Sequence, residues 1–134
     1  MTTYVDSSAL LKRYIDEPDS AAAEQLLLSD PVLVTSWITV VEVRRNLARL
    51  VEPSEIAAVR THFLRDLDQF ALVAVDEVVC QAAAEIGEHL GVRTLDALHL
   101  ACAQRLLIPG LSFITFDLRL AQAARAIGFT VLGA

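Results

Sequence analysis

Glycine and proline are scarce in this sequence, and long apolar runs are missing from it. The 134 residues include 5 Gly and 4 Pro, too few for a collagen-like repeat, and the 54% hydrophobic content is too high for a disordered chain. No stretch approaches the roughly 18 to 20 consecutive apolar residues that cross a bilayer as a helix. A glycine-rich phosphate loop and a G-x-S-x-G motif are also missing, which argues against a nucleotide-binding loop and a serine hydrolase.

Positive charge is in short supply as well. Eleven Lys and Arg stand against 17 Asp and Glu, giving a formal net charge of −6. Proteins that hold nucleic acid through phosphate neutralisation alone carry a basic surface, so this class is disfavoured. Lys12 is the only lysine, and a Mg-dependent phosphoryl-handling domain of receiver or phosphatase type needs a lysine late in the chain. That domain remains a weaker alternative.

Cysteine usage and the first residues bear on the compartment. Cys80 and Cys102 lie among small apolar residues, with no C-x-x-C pair, and we predict that both are buried free thiols. The stretch from Met1 to Asp6 lacks the basic and apolar regions of a signal peptide. We therefore expect a cytoplasmic protein with no membrane association.

Short, continuously apolar segments alternate with segments of helical periodicity. Strands are predicted at 4–5, 32–35, 70–75, 111–115 and 129–132. Helices are predicted at 9–15, 21–28, 38–49, 54–67, 77–90, 94–107 and 118–127. This pattern is typical of a parallel sheet buried on both faces, and it predicts one α/β domain over residues 1–134, with about five strands between helices in three α/β/α layers.

Four acidic residues occupy positions where such a sheet would hold a ligand, at the carboxyl ends of its strands. Asp6 and Asp117 directly follow predicted strands, Asp96 lies in the first turn of a helix, and Glu42 lies in an otherwise apolar helix segment. Each has a structural alternative. The aspartates suit helix caps and first turns, and Ser7 and Ser8 compete with Asp6 for the first cap. Glu42 could be a solvated residue that pairs with Arg45 or Asn46.

Taken together, the four acids favour a metal site. Four carboxylates at one sheet edge would repel one another strongly unless cations neutralised them. Mg²⁺ and Mn²⁺ prefer such oxygen donors, and the chain has few His or Cys residues to suggest a softer metal. An acidic protein could then bind a phosphodiester through metal ions rather than through Lys and Arg.

Four motifs carry a resemblance to a known family. They are Val5-Asp6-Ser7-Ser8-Ala9-Leu10, Val41-Glu42-Val43-Arg44-Arg45, Arg93-Thr94-Leu95-Asp96-Ala97-Leu98-His99 and Phe113-Ile114-Thr115-Phe116-Asp117. In this order they resemble the PIN-domain family, and more narrowly the VapC toxins of bacterial and archaeal toxin–antitoxin pairs, across essentially the whole chain. The resemblance implies a PIN-like fold and an endoribonuclease that uses Mg²⁺ or Mn²⁺.

The family's functional positions map onto this sequence one by one. Its four catalytic and metal-binding acids map to Asp6, Glu42, Asp96 and Asp117, and its accessory hydroxyls to Ser8 and Thr115. Possible RNA contacts flank these motifs at Lys12, Arg13, Arg44, Arg45 and Arg93, with ordinary ion pairing as the alternative. His99 shares a helix face with Asp96 and could touch the site, although a buried, hydrogen-bonded histidine is commoner. We interpret Trp37 as core or interface packing rather than a base-stacking residue.

The resemblance also implies partners. In such toxins a small antitoxin wraps the toxin, often blocks the acidic site with a basic side chain, and carries the complex to its own promoter. Homodimers are usual, and tRNA or rRNA is the expected RNA substrate. The alternative from a different class is a non-catalytic interaction domain, because the apolar fraction exceeds what a small monomer needs.

Overall fold

The computed structural model describes residues 1–134 and contains five strands and seven helices. The strands are β1 (Thr2–Val5), β2 (Val32–Ser36), β3 (Phe70–Val73), β4 (Ser112–Thr115) and β5 (Thr130–Gly133). The helices are α1 (Ser7–Leu11), α2 (Ser20–Leu28), α3 (Trp37–Leu50), α4 (Ile56–Leu67), α5 (Glu77–Leu90), α6 (Thr94–Gln104) and α7 (Leu118–Ala126). Every predicted strand and helix is therefore present.

The five strands form one parallel sheet in the order β3-β2-β1-β4-β5. Starting from the central β1, the chain first builds outward through β2 and β3 and later builds the other side through β4 and β5. The strand order therefore reverses between β1 and β4. Ligands of open α/β sheets bind beside such a reversal, at the carboxyl ends of the strands.

Two apolar clusters cover the two faces of the sheet. Tyr4 and Phe113 belong to a cluster of 16 buried residues with α5, α6 and α7, whereas their neighbours Val5 and Ile114 belong to a cluster of 11 with α1, α3 and α4. Successive strand residues point to opposite faces, so each strand supplies both clusters. The structure thus confirms the three-layer α/β/α prediction. None of its helices is both long and apolar enough to cross a membrane.

Helix ends differ from prediction by more than two residues at two places, and elsewhere by at most two residues. Helix α1 covers five residues rather than seven, and the chain continues through turns beyond Leu11. Its N-cap is Asp6, whose side chain accepts a hydrogen bond from the Ala9 N–H, so the Asp6 alternative is confirmed and the prediction of a Ser7 or Ser8 cap was wrong. Helix α6 ends at Gln104, and Leu107 then adopts a left-handed φ of 56° that no regular helix continues.

The two cysteines differ in exposure. Both are free thiols, but only Cys102 is buried, and Cys80 is exposed, which corrects the prediction for Cys80. The buried stripe of α5 runs through Val79, Ala83 and Ile86. Cys80 follows Val79 by one residue, about 100° around the helix, which turns its side chain away from the core.

Helix α5 offers a test of capping away from the candidate site. The Asp76 side chain accepts a hydrogen bond of 2.9 Å from the Val79 N–H. We expect Asp76→Ala to lower the free energy of unfolding by about 0.5–2 kcal/mol, because the amide loses its acceptor. Urea unfolding would measure this, with Asp76→Asn as the matched control that keeps a capping oxygen. Equal losses in both variants would contradict the capping role.

Candidate active site

A cavity of about 350 Å³ opens at the carboxyl edge of the sheet, where β1 and β4 end. All four predicted acids line it, together with the ends of three helices. The lining residues are Asp6, Ser7, Ser8, Glu42, Arg93, Thr94, Leu95, Asp96, His99, Asp117 and Leu120. Four sequence-distant motifs therefore meet in one place.

Asp6 lies at the base of the cavity, directly after β1, and is 2% exposed. Its Oδ1 accepts hydrogen bonds from the Ala9 N–H (3.0 Å) and the Ser8 hydroxyl (2.7 Å), and its Oδ2 accepts one from the Thr115 hydroxyl (2.6 Å). No cationic side chain forms an ion pair with Asp6. Burial raises the pKa of Asp6 above its ordinary value, and His99 with the hydrogen bonds of Thr115, Ala9 and Ser8 opposes the rise only in part.

Ser8 and Thr115 join the ends of β1 and β4 around this carboxylate. Besides binding Asp6, the Ser8 oxygen accepts a hydrogen bond from the Phe116 N–H (3.0 Å), and the Thr115 oxygen accepts one from the Asp117 N–H (3.1 Å). The two predicted hydroxyls thus lie beside the first acid. They also fix the start of the segment that carries the last acid.

Glu42 comes from α3, one turn beyond the buried residues that begin the helix. Its Oε1 accepts a hydrogen bond from the Ser7 hydroxyl (3.0 Å) and lies 2.6 Å from His99 Nε2. Burial alone would raise the pKa of Glu42, but the hydrogen bond and charge of His99, with the Ser7 hydrogen bond, outweigh burial and lower that pKa. Glu42 is therefore held in its ionised form.

Asp96 and Asp117 are bridged by an arginine. Arg93 Nε donates to Asp96 Oδ2 (3.0 Å), and Arg93 Nη2 donates to Asp117 Oδ2 (3.1 Å). The hydrogen bond to Asp96 and its negative charge raise the pKa of Arg93, and the charge of Asp117 adds to this effect. Asp117 Oδ1 accepts the N–H groups of Arg119 and Leu120, so its predicted capping role at α7 is confirmed as well.

The donors fit a hard divalent cation in chemistry, although they are not assembled around one point. No three carboxylate, imidazole or thiol groups form a ready-made metal cluster. The cavity nevertheless brings together only oxygen donors and one imidazole, and Glu42 Oε2 and Asp96 Oδ1 accept no hydrogen bond from the protein. Buried Asp6 has no counter-ion. These features match the oxygen-rich donor sets that Mg²⁺ and Mn²⁺ prefer.

Arg93 supplies the positive charge that a cation would otherwise bring to Asp96 and Asp117. We therefore expect Arg93→Gln to bind Mn²⁺ more tightly than the wild type, because the cation no longer competes with the guanidinium for those carboxylates. Calorimetric titration with MnCl₂ measures this. Arg119→Gln is the matched control, since it removes the same charge from an exposed side chain that pairs with neither carboxylate, and the Arg119 N–H that binds Asp117 is kept. Equal or weaker Mn²⁺ binding by Arg93→Gln would contradict the competition.

Two of the predicted RNA contacts, Lys12 and Arg13, form ion pairs outside the cavity. The Lys12 ammonium is buried in ion pairs with Glu17 and Asp19. Arg13 pairs with Glu24 and Asp66. For Lys12 and Arg13 the structure therefore favours ordinary ion pairing over RNA contact.

Three other predicted residues lie on α3. Arg44 and Arg45 are exposed there and form no ion pair. Trp37, at the start of the same helix, is 52% exposed, so packing in the core was the wrong part of its interpretation. Its position at the first turn points the ring away from the buried residues Ile38 and Thr39.

Two further contacts of the cavity's lining residues were missed in the sequence analysis. Ser7, considered only as a cap, binds Glu42, and Tyr4, considered only as a strand residue, is hydrogen-bonded to His99. The position of Ser7 directly after Asp6 is a signal that could have identified it. No sequence pattern links Tyr4 to His99, because 95 positions separate them.

Comparisons with known proteins agree with this architecture. The model of the PIN domain family matches residues 3–126. Ribonuclease VapC46 of Mycobacterium tuberculosis is 36% identical over 129 residues, covering 96% of this chain and 95% of its own. The fold resembles FitAcB from Neisseria gonorrhoeae (TM-score 0.77, 20% identity, 98% and 96% coverage) and DNA-bound VapBC from Salmonella typhimurium (0.72, 19%, 98% and 98%). With the family model spanning nearly the whole chain, this protein belongs to the PIN-domain family.

Proposed function

We propose that this protein is a Mg²⁺- or Mn²⁺-dependent endoribonuclease and the toxin of a type II toxin–antitoxin pair. The observation that carries the proposal is the meeting of Asp6, Glu42, Asp96 and Asp117 in one cavity at the sheet edge. Full-length similarity to a ribonuclease supports it, since VapC46 aligns over 96% of this chain. Hydrolysis of RNA phosphodiester bonds is the reaction that such an acidic, oxygen-lined site is suited to perform.

We assign separate roles to the acids and to the hydroxyls of the cavity. Asp6, Glu42, Asp96 and Asp117 would hold the metal, while Ser8 and Thr115 orient the Asp6 carboxylate through their hydrogen bonds. When bound, Mg²⁺ or Mn²⁺ supplies an acidified water as nucleophile and positive charge for the phosphate.

The RNA backbone needs positive side chains near the cavity. Arg45 lies three residues after Glu42 on α3, so the two side chains share a helix face, whereas Arg44 projects to another side. Both arginines are exposed and free of ion pairs, and Arg93 stands at the mouth of the cavity. We propose these three as phosphate contacts, with Arg45 and Arg93 nearest the acids. Either tRNA or rRNA would then be the substrate.

Exposed apolar side chains around the cavity support an antitoxin partner. Trp37 and Val41 lie one turn apart on α3, with exposures of 52% and 67%, and Leu118, directly after Asp117, is 70% exposed. Apolar side chains beside an acidic cavity suit a partner segment that is both hydrophobic and basic. We propose a VapB-like antitoxin for this surface, within a toxin–antitoxin hetero-oligomer, and a homodimer of the toxin itself.

The decisive experiment uses purified, antitoxin-free protein and total cellular RNA. We expect discrete fragments with MgCl₂ or MnCl₂ and no cleavage after EDTA is added, with activity restored by excess Mn²⁺. End mapping of the fragments identifies the target. The absence of cleavage by folded, partner-free protein in the presence of Mn²⁺ would overturn the nuclease and favour a non-catalytic interaction domain, which the exposed apolar residues would also suit.

A further inference from the structure

A line of buried hydrogen bonds runs from Glu42 into the core. His99 Nε2 lies 2.6 Å from Glu42 Oε1, His99 Nδ1 lies 2.9 Å from the Tyr4 hydroxyl, and the Tyr4 hydroxyl donates to the Ser36 oxygen at 3.0 Å. Tyr4 and Ser36 are fully buried, and His99 is 2% exposed. Every buried side-chain polar atom of this line has a hydrogen-bond partner, as a buried polar network requires.

The line returns to the helix from which it starts. Ser36 is the N-cap residue of α3, but its side chain caps no amide of that helix. Its oxygen instead binds Tyr4, and Tyr4 binds His99 from α6, which reaches Glu42 one and a half turns into α3. Ser36 at the start of α3 and the Glu42 carboxylate are therefore both connected to the buried Tyr4–His99 pair.

The arrangement leaves one oxygen of Glu42 unused. Both protein partners, Ser7 and His99, meet at Oε1, and Oε2 has no hydrogen-bond partner in the protein. A free glutamate on a helix surface samples many rotamers, and fixing it in one of them costs side-chain entropy. Because Ser7 and His99 fix the Glu42 carboxylate in the folded protein, it is already ordered before any ligand binds.

We propose that His99, supported by Tyr4 and Ser36, is a positioning residue that holds Glu42 with Oε2 available to the cavity. The proposal rests on the proposed function, in which Glu42 binds the metal. Hydrogen-bonded partners that orient a ligating carboxylate commonly change metal affinity or activity by about 10–100-fold when they are removed.

The Tyr4 hydroxyl can be removed while the packing of its ring is kept. The Tyr4 ring stacks on Phe113 at a centroid distance of 5.1 Å, so Tyr4→Phe keeps this contact and loses only the hydroxyl. Tyr14→Phe is the matched control. The Tyr14 hydroxyl also donates a short hydrogen bond, 2.6 Å to Asp66, but it packs against the other apolar cluster and does not line the cavity.

The first experiment compares these two variants by calorimetric Mn²⁺ titration and by cleavage of an oligoribonucleotide that spans a site mapped in total RNA. We expect Tyr4→Phe to lower Mn²⁺ affinity and kcat by about 10-fold, with KM little changed, because Glu42 loses its fixed support. Tyr14→Phe should match the wild type in both assays. Wild-type Mn²⁺ affinity and kcat in Tyr4→Phe would overturn the proposal.

Two substitutions of His99 separate positioning from simple core filling. The amide of His99→Gln reaches about as far as Nε2 and can still bind Glu42, whereas the shorter amide of His99→Asn reaches only the Tyr4 side. We expect His99→Gln to keep more Mn²⁺ affinity than His99→Asn, although both lose packing. Equal affinities in the two variants would contradict the positioning role.

The two assays distinguish failure of the inference from failure of the proposed function. If the wild type binds Mn²⁺ but cuts no RNA, the proposed function fails and the Mn²⁺ affinities still decide the role of His99. If the wild type binds no Mn²⁺ at all, both fail.

Discussion

Asp96→Asn is expected to reduce RNA cleavage by about 10³-fold, which corresponds to about 4 kcal/mol of lost transition-state stabilisation. Asp96 is 7% exposed at the first turn of α6, and its Oδ1 has no protein partner, so the substitution removes a proposed metal ligand and its charge from a cavity that it shares with three other acids. The asparagine has the same shape and can still accept the Arg93 hydrogen bond. The loss should therefore appear in activity rather than in folding.

The measurement is the initial rate on total RNA with saturating MnCl₂, alongside circular dichroism and calorimetric Mn²⁺ titration. Asp68→Asn is the matched control, because Asp68 is an exposed aspartate that does not line the cavity. We expect wild-type rates from this control and weakened Mn²⁺ binding only in Asp96→Asn. Cleavage within a few-fold of wild type by folded Asp96→Asn would mean that RNA hydrolysis does not depend on this carboxylate.

The fold could be predicted from sequence because its signals are local. Each strand is a short apolar run bounded by turn residues, and alternation with helical periodicity already requires parallel pairing. The Asp117 cap could be predicted for the same reason. The length of α1 could not, since its apolar residues continue at helical spacing beyond Leu11 while the ion pairs of Lys12 and Arg13 favour a turn there. Those ion pairs depend on residues outside α1.

The sequence indicated which acids line the cavity, but it did not indicate the hydrogen bonds and ion pairs among the lining residues. Strand ends are visible in sequence, so Asp6 and Asp117 could be placed at one edge from topology alone. The bridge from Arg93 to Asp117 spans 24 positions, and the contact of His99 with Glu42 spans 57. Such contacts depend on how α3, α6 and α7 pack, which periodicity does not specify. Exposure of Cys80 was missed because apolar neighbours are a poor guide to helix face.

Asp6→Asn is expected to raise the free energy of unfolding at neutral pH while it lowers RNA cleavage. The reason is that burying the wild-type carboxylate is unfavourable for the metal-free fold. Burial raises the folded-state pKa of Asp6 above the value in the unfolded chain, about 3.9. The favourable contribution of a group with a raised pKa is present below about pH 3.9 and is lost as pH rises through its folded-state pKa. At neutral pH the buried carboxyl therefore contributes less to the free energy of unfolding than it does in acid, and the uncharged asparagine removes this pH-dependent penalty.

The neighbours of Asp6 can accommodate the amide. The asparagine Oδ1 can still accept hydrogen bonds from the Ala9 N–H and the Ser8 hydroxyl, and the Thr115 oxygen can accept one from its nitrogen. The substitution thus keeps hydrogen-bond partners for both the oxygen and the nitrogen of the new side chain. Its effect on stability should come from the charge alone.

Urea unfolding in EDTA from pH 3.5 to pH 8 measures the effect, with cleavage assayed in parallel in MnCl₂. We expect Asp6→Asn to gain stability relative to wild type as pH rises, to be the more stable protein at pH 7, and to lose RNA cleavage by at least about 100-fold. Asp76→Asn, a cap in a half-exposed position, should show neither effect. If Asp6→Asn is less stable than wild type at pH 7, the carboxylate is a structural cap whose charge the fold tolerates. The opposite result would mean that this buried charge is retained for the cation that the cavity binds.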